Sequence, residues 1–319
     1  MTDAPRIVFL DRETFAPAVE LTAPAAPHAW EAHQRTAPEE VAARLAGARV
    51  AITNKVPLRR AVLEGLPELK FISVAATGYD CVDIAACREL GIQVSNVRGY
   101  AKHTVPEHVF ALILGLRRAI VQYRADVIAG RWEDAGQFCF HDHPIRDLAG
   151  SRIAIFGGGA IGSAVARIAE GFGMEPVFVA RKREAPGAGR IPFEAALETA
   201  DILSLHCPLT PATQDMIAAP EFARMGRRPL LINTARGGLV NGADAVAALE
   251  GGLIGGLGID VLPVEPPTDD PIRAAAARPD VILTPHVGWA SEEAQEEVWR
   301  QTVEAVDAFL AGAPVRLLT

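Results

Sequence analysis

The sequence predicts an α/β protein of two parallel-sheet units, on three observations. Short apolar runs alternate with stretches of helical periodicity along nearly the whole chain, the pattern of a parallel sheet with helices on both faces. The 319 residues suit two domains of ordinary size. The later unit carries a glycine-rich strand-to-helix turn, Ile153-Ala-Ile-Phe-Gly-Gly-Gly-Ala-Ile-Gly162, and the earlier one carries no G-x-G-x-x-G.

Composition narrows the function classes. Half the residues are hydrophobic, enough for sizeable cores, and a net charge of −8 argues against nucleic acid and against an anionic membrane surface. The segment Met1–Arg12 has charges on both sides of a very short apolar run, so no signal peptide is expected, and no apolar run is long enough to span a membrane. Cys81, Cys87, Cys139 and Cys207 show neither a CxxC pair nor a framework spacing. They read as reduced thiols in a cytoplasmic protein.

In chain order, strands are expected at 6–11, 48–54, 70–75 and 92–96, with helical stretches at 38–46, 61–65 and 82–90, the last ended by Gly91. Residues 104 to about 130 are apolar at helical spacing (Val105, Val109, Leu112, Ile113, Leu116, Ile120). A helix of that length can bridge two domains. Residues 131–148 are polar, aromatic and irregular, and an aromatic arm of this kind is expected to pack against a second subunit. Cys139, His141 and His143 in this arm match no standard zinc spacing, so no metal is expected.

The glycine turn has Gly157, Gly159 and Gly162 on the G-x-G-x-x-G spacing. The first glycine permits the tight turn, the second leaves room for a pyrophosphate, and the third lets helix pack on strand. Amides at the helix start, from Gly159 through Ala160 and Ile161 to Gly162, then face the phosphates. A second strand at 176–180 completes the βαβ unit. A unit specific for NAD ends this strand on a carboxylate for the ribose 2′-hydroxyl. Here Ala180 holds that place and Arg181, Lys182 and Arg183 follow. The expected cofactor is therefore NADP(H), with Arg181 as principal contact and Lys182 or Arg183 assisting. NAD(H) stays open because Glu184 is close by, and so does a purely solvated basic turn.

Further strands are expected at 201–205, 229–233, 256–260 and 281–284, then a helix at 291–310. Three strand ends carry polar residues: Arg236 after the 229–233 strand, Asp260 and Glu265 after the next, and His286 after the last. Ligands of open α/β sheets bind at that edge. Reduction of a 2-keto acid needs a proton donor at the developing alkoxide, which histidine suits. A carboxylate such as Glu265 favours the protonated ring and holds it in place. A guanidinium can hold the substrate carboxylate and keto oxygen together, fixing the reacting carbon.

The segments GGGAIG, HCPLT (206–210), NTARGG, DVLPVEPP and TPHVGWAS resemble the D-isomer-specific 2-hydroxyacid dehydrogenase family over nearly the whole chain. FLDRETF (9–15), ITNKVPL (52–58), VAATGYDCVD (74–83), HTVPEH (103–108) and GQFCFHDHPIRDLAG (136–150) resemble its glycerate dehydrogenase, or hydroxypyruvate reductase, branch. The resemblance implies two Rossmann-like or flavodoxin-like domains with parallel sheets and an active site in the interdomain cleft. The substrate domain would be residues 1–98 plus 290–319, and the cofactor domain 99–289. Arg236, Glu265 and His286 would be the catalytic trio.

The resemblance also implies substrate contacts at Lys55, beside Asn54, at the amides of Ala76, Thr77 and Gly78, and at Trp289, for which interdomain packing is the other reading. Cofactor contacts would include Thr104 at the phosphates, Asp260 at the nicotinamide carboxamide, and Cys207 and Pro208 at the adenine. His206, Thr213, Thr234, Ala235 and Gly288 would join them. A homodimer through the cofactor domain is implied too. The function expected is reduction of hydroxypyruvate to D-glycerate, and of glyoxylate to glycolate, with NADPH. Another 2-hydroxy acid, or a nicotinamide-sensing binding protein, are the alternatives.

Overall fold

The computed structural model of the chain describes residues 4–319; the first three residues of the charged N-terminal segment lie outside them. The chain sorts into two compact units, Met1–Ala101 with Ala290–Thr319, and Lys102–Trp289.

The first unit holds five parallel strands: β1 (Arg6–Phe9), β2 (Ala29–Ala32), β3 (Val50–Thr53), β4 (Phe71–Val74) and β5 (Gln93–Asn96), in the order β2-β1-β3-β4-β5. That is the flavodoxin-like order. Alternation along a strand separates two cores. Val8 joins Val41, Leu45 and Leu63, residues of the helices α1 (Val41–Leu45) and α2 (Arg60–Leu63). Helix α3 (Ile84–Leu90) starts on an Asp83 cap and stops at Gly91, whose φ of +70° disfavours any other residue. Phe9 turns the other way, 5.0 Å from Trp299 of the C-terminal helix Glu292–Leu310, and Phe71 stacks on Phe309 of the same helix at 4.5 Å. Burying each such aromatic contributes on the order of 2–3 kcal/mol. Strand β2 was not expected from the sequence. It is a largely exposed edge strand with no alternation to mark it.

The second unit contains α4 (Thr104–Arg117), α5 (Ile120–Ile128), α6 (Arg131–Ala135), β6 (Arg152–Phe156), α7 (Ala160–Gly171), β7 (Glu175–Val179), β8 (Arg190–Ile191), α8 (Phe193–Thr199), β9 (Ile202–Leu205), α9 (Ala219–Phe222), β10 (Leu230–Asn233), α10 (Gly242–Glu250), β11 (Gly256–Ile259), α11 (Pro271–Ala274) and β12 (Val281–Leu283). Its seven strands are parallel in the order β12-β11-β10-β9-β6-β7-β8. The order reverses between β6 and β9, the switch point at which such sheets bind ligands.

The single helix expected over 104–130 is instead two. The chain enters the left-handed region at Ala119 (φ +48°), and Ile120 and Val121 beyond the break are each 54% exposed. Helix α4 lies on α7 and on β10, β11 and β12 of its own unit. The arm at 131–148, expected to be irregular, begins with α6. Its polar groups pair locally: Arg131 with Asp142, His143 with Asp126 at 2.7 Å, and the Tyr123 hydroxyl with the His143 carbonyl. Among the described residues no helix is long and apolar enough to cross a membrane.

Candidate active site

Three neighbouring strand ends carry the candidate reactive groups. After β10, the Asn233 side chain accepts from the Ala235 amide (3.1 Å) and donates to the Arg236 carbonyl (2.9 Å), closing a turn that sets Arg236. The Arg236 guanidinium also donates to the Ala235 carbonyl at 2.8 Å. Beyond β11, Glu265 accepts from the Leu262 amide through Oε1 at 2.9 Å and faces His286 through Oε2. The His286 Nδ1 to Glu265 Oε2 distance is 2.6 Å, with both side chains about a third exposed or less. A carboxylate only accepts, so Nδ1 carries the proton shared with Glu265. Nε2 is the other ring nitrogen, on the side away from Nδ1.

Asp260 ends β11 and is 2% exposed. Its Oδ1 accepts from the Val287 amide and the Thr284 hydroxyl, and its Oδ2 accepts from the Gly288 amide. Burial opposes its charge, but these bonds and His108 together hold its pKa below the usual 3.8. Thr104, expected at the cofactor phosphates, donates to the Gly288 carbonyl at 3.0 Å.

The glycine turn fits a dinucleotide. At Gly157 φ is +116°, and a Cβ there would sit 2.6 Å from the His206 carbonyl oxygen. A Cβ on Gly162 would collide with the Gly157 carbonyl at 2.0 Å, whereas one on Gly159 would meet open space. The Gly159 face is therefore clear where a pyrophosphate needs room. The first intrahelical bond runs from the Ser163 amide to the Gly159 carbonyl, so the amides of Ala160, Ile161 and Gly162 have no partner within α7. Thr234, next to Ala235, buries its hydroxyl oxygen with no protein partner. A bound cofactor would satisfy it. His206 is bonded to Phe156 across the β6–β9 switch point, and its ring contacts Ser204 at 2.8 Å. Desolvation pushes its pKa down to about 4. Cys207 lies 3.9 Å from the Met216 sulfur, and burial raises its thiol pKa. Thr213 bonds the Pro208 carbonyl and the Thr210 amide, closing the loop beside Pro208.

The basic turn divides its cations. Arg181 is 85% exposed and 3.6 Å from Glu184. Arg183 takes a left-handed φ of +66°. Lys182, expected to assist Arg181, is drawn away: its ammonium pairs with Glu221 at 2.8 Å, bonds the Met216 carbonyl and lies over the Phe193 ring. Arg190 takes a place the sequence did not reveal. It donates to the Val179 carbonyl at 3.0 Å, and its Nη2 lies 3.0 Å from where a Gly158 Cβ would be. Pairing of the two-residue strand β8 with β7 brings it there.

In the first unit, Lys55 is exposed at the end of a turn tied by Asp11. The buried Asp11 carboxylate accepts from the amides of Asn54, Lys55 and Val56. Burial raises its pKa, and those amides oppose the rise. The 76–78 loop is fastened by the Asn96 side chain on the Thr77 carbonyl and by Thr77 on the Val97 carbonyl, both at 2.8 Å. Trp289 is half-buried in the second unit. Asp11, Asn96, His108 and Arg190 are the contributors that motif reading missed. A buried Asp just after a strand was the one signal available for Asp11.

Residues 110–288 match the NAD binding domain of the D-isomer specific 2-hydroxyacid dehydrogenases. The chain is 47% identical over 311 residues to a glycerate dehydrogenase of Methylorubrum extorquens, covering 97% of each chain. It is 33% identical over 285 residues to a hydroxypyruvate reductase of Blautia hydrogenotrophica, covering 88% of each. Among solved structures, an NADPH-dependent glyoxylate/hydroxypyruvate reductase from Sinorhizobium meliloti superposes with a TM-score of 0.83 at 26% identity, over 99% of this chain and 98% of that one.

Proposed function

This chain belongs to the D-isomer specific 2-hydroxyacid dehydrogenase family, and we propose that it reduces hydroxypyruvate to D-glycerate, and glyoxylate to glycolate, with NADPH preferred over NADH. The class is an oxidoreductase acting on a small 2-keto or 2-hydroxy acid with a nicotinamide cofactor. The observation that carries the reading is the His286–Glu265 pair at 2.6 Å, drawn from the ends of β12 and β11, with Arg236 at the end of the adjacent β10.

When bound, the reduced nicotinamide supplies a hydride to the keto carbon. Arg236 holds the substrate carboxylate and keto oxygen with its two-pronged donor. His286 gives the Nε2 proton to that oxygen as its charge develops, so the carbonyl gains one hydride and one proton and becomes an alcohol. Glu265 keeps Nδ1 protonated and balances the ring charge. The amides of Ala76, Thr77 and Gly78, with Lys55, are proposed to take the substrate carboxylate, and Trp289 to shape the side of the pocket. The Gly157–Gly162 turn and Thr234 would hold the dinucleotide.

The NADPH preference rests on Ala180 in the carboxylate position and on two unhidden cations, Arg181 and Arg190. Gly288, Ala235 and the 206–208 segment are proposed as further cofactor contacts. A homodimer is proposed through the arm, where Phe138 is 88% exposed, with Ile128 of the preceding helix 68% exposed. Sedimentation of the protein at micromolar concentration tests it.

The functional test is a rate panel of hydroxypyruvate, glyoxylate and pyruvate, each with NADPH and NADH. Fast turnover of the first two with NADPH is expected. Turnover with NADH alone would sink the nucleotide preference, and cofactor binding without turnover of any of the three would sink the substrate assignment.

A further inference from the structure

His286 sits in a backbone conformation that has to be held. Its φ is +55°, a left-handed value that a side chain with a Cβ seldom adopts. Most of the restraint comes from one residue, Asp260, through its carbonyl and its carboxylate. The His286 amide donates to the Asp260 carbonyl at 2.8 Å, and the next two amides, of Val287 and Gly288, donate to Asp260 Oδ1 and Oδ2, each at 2.9 Å. Asp260 thus grips three successive amides of the catalytic turn.

Asp260 is itself aimed from behind. Thr284 Oγ1 lies 2.6 Å from Asp260 Oδ1 and 3.0 Å from His108 Nε2. A hydroxyl has one proton, and a carboxylate can only accept, so Thr284 donates to Asp260. It must then accept from His108, which fixes the proton on His108 Nε2. The same nitrogen lies 3.4 Å from Asp260 Oδ1. The imidazole also backs the turn sterically: a Cβ on Gly288 would come within 3.1 Å of His108 Cδ2 and 2.9 Å of Asp260 Oδ2. One turn earlier on the same face of α4, Thr104 holds the Gly288 carbonyl. None of these contacts involves a group that meets substrate.

We infer that His108, acting through Thr284 and Asp260, is a positioning residue for the reaction: it fixes the left-handed turn at His286 and so the direction in which Nε2 presents its proton. The inference rests on the proposed role of His286 as proton donor. A group displaced by about 1 Å from its working geometry costs up to roughly a hundredfold in rate, so the effect falls on kcat. Cofactor affinity, to which Gly288 of the same turn is proposed to contribute, changes far less than kcat.

Three variants test it: His108→Leu removes the donor, His108→Gln keeps an N–H at similar reach, and Thr284→Val cuts the relay while leaving the histidine. Steady-state rates with hydroxypyruvate, NADPH affinity from fluorescence titration, and amide hydrogen exchange of residues 286–288 are measured on each. His108→Leu and Thr284→Val are expected to lose about tenfold or more in kcat, with KM and NADPH affinity within about twofold. Exchange at 286–288 should be faster in both, and His108→Gln should restore most of the rate and the protection. Unchanged exchange and kcat in His108→Leu, or in Thr284→Val if the leucine variant does not fold, would overturn the inference. So would a loss that appears in KM and NADPH affinity and is not recovered by glutamine. Exchange reads out without turnover. An inactive wild-type protein whose 286–288 segment still loosens in His108→Leu would therefore retain the restraint and fail the functional reading.

Discussion

The turn at His286 and the turn at Arg181 lie at opposite ends of one sheet and are built in opposite ways. His286 is held by a buried aspartate, a threonine relay, a histidine and a glutamate, with contacts of 2.6–3.0 Å. Arg181 stands 85% exposed, 3.6 Å from Glu184. In the proposed reading the proton donor is placed in advance, whereas nucleotide preference is left to long exposed cations. Fixed donors save reorganisation in the reaction step, and exposed cations contribute modestly and are screened by salt.

That difference orders the expected effects. His286→Ala should remove about a thousandfold of kcat for hydroxypyruvate while NADPH affinity, read by fluorescence, stays near wild type. Loss of binding in parallel would make the histidine structural. Arg236→Lys should lose roughly a hundredfold in kcat/KM, because a point charge cannot span carboxylate and keto oxygen together. Near-normal turnover would remove the two-pronged role.

Arg181→Ala and Arg190→Ala should each weaken NADPH by about tenfold, the scale of one charge-assisted hydrogen bond, and leave NADH unchanged. Equal losses for both cofactors would make these arginines parts of the fold. The NADPH loss should shrink in high salt for exposed Arg181 more than for Arg190, which is braced on the Val179 carbonyl.

The smallest effect concerns stability in acid. His206 has its pKa lowered by desolvation from 6.5 to about 4. The unfolded chain takes up its proton near 6.5 and the folded chain does not until about 4, so stability falls as pH drops through that window and is unaffected above it. The ring keeps some exposure, which limits the cost to roughly 1–3 kcal/mol. His206→Asn should narrow the Tm gap between pH 7 and pH 4.5. An unchanged gap would place the acid sensitivity elsewhere.

The buried strands, the glycine turn and the strand-end residues Arg236, Glu265 and His286 were legible in the sequence because each rests on a local rule: apolar runs, φ-permissive glycines, polar residues at the ends of buried strands. What escaped depends on tertiary pairing. Strand β2 is exposed at an edge and carries no period-2 signal, and β8 is two residues long. The helix break at Ala119 falls inside an unbroken apolar pattern. Lys182 reads like its neighbours until Glu221, far along the chain, claims its ammonium. Arg190 becomes relevant only when β8 pairs with β7. Asp260 was legible as a polar strand end, but its grip on the His286 turn, and His108 behind it, appear only once α4 packs on β11 and β12.

The most direct test of the central claim is the handedness of the product. The protein is incubated with hydroxypyruvate and NADPH, and the glycerate formed is resolved on a chiral column. With the proposed proton donor His286 and clamp Arg236, one face of the keto carbon would meet the hydride, and membership of the D-isomer specific family makes D-glycerate alone the predicted product. L-glycerate, a mixture of both hands, or consumption of NADPH without glycerate would contradict the account.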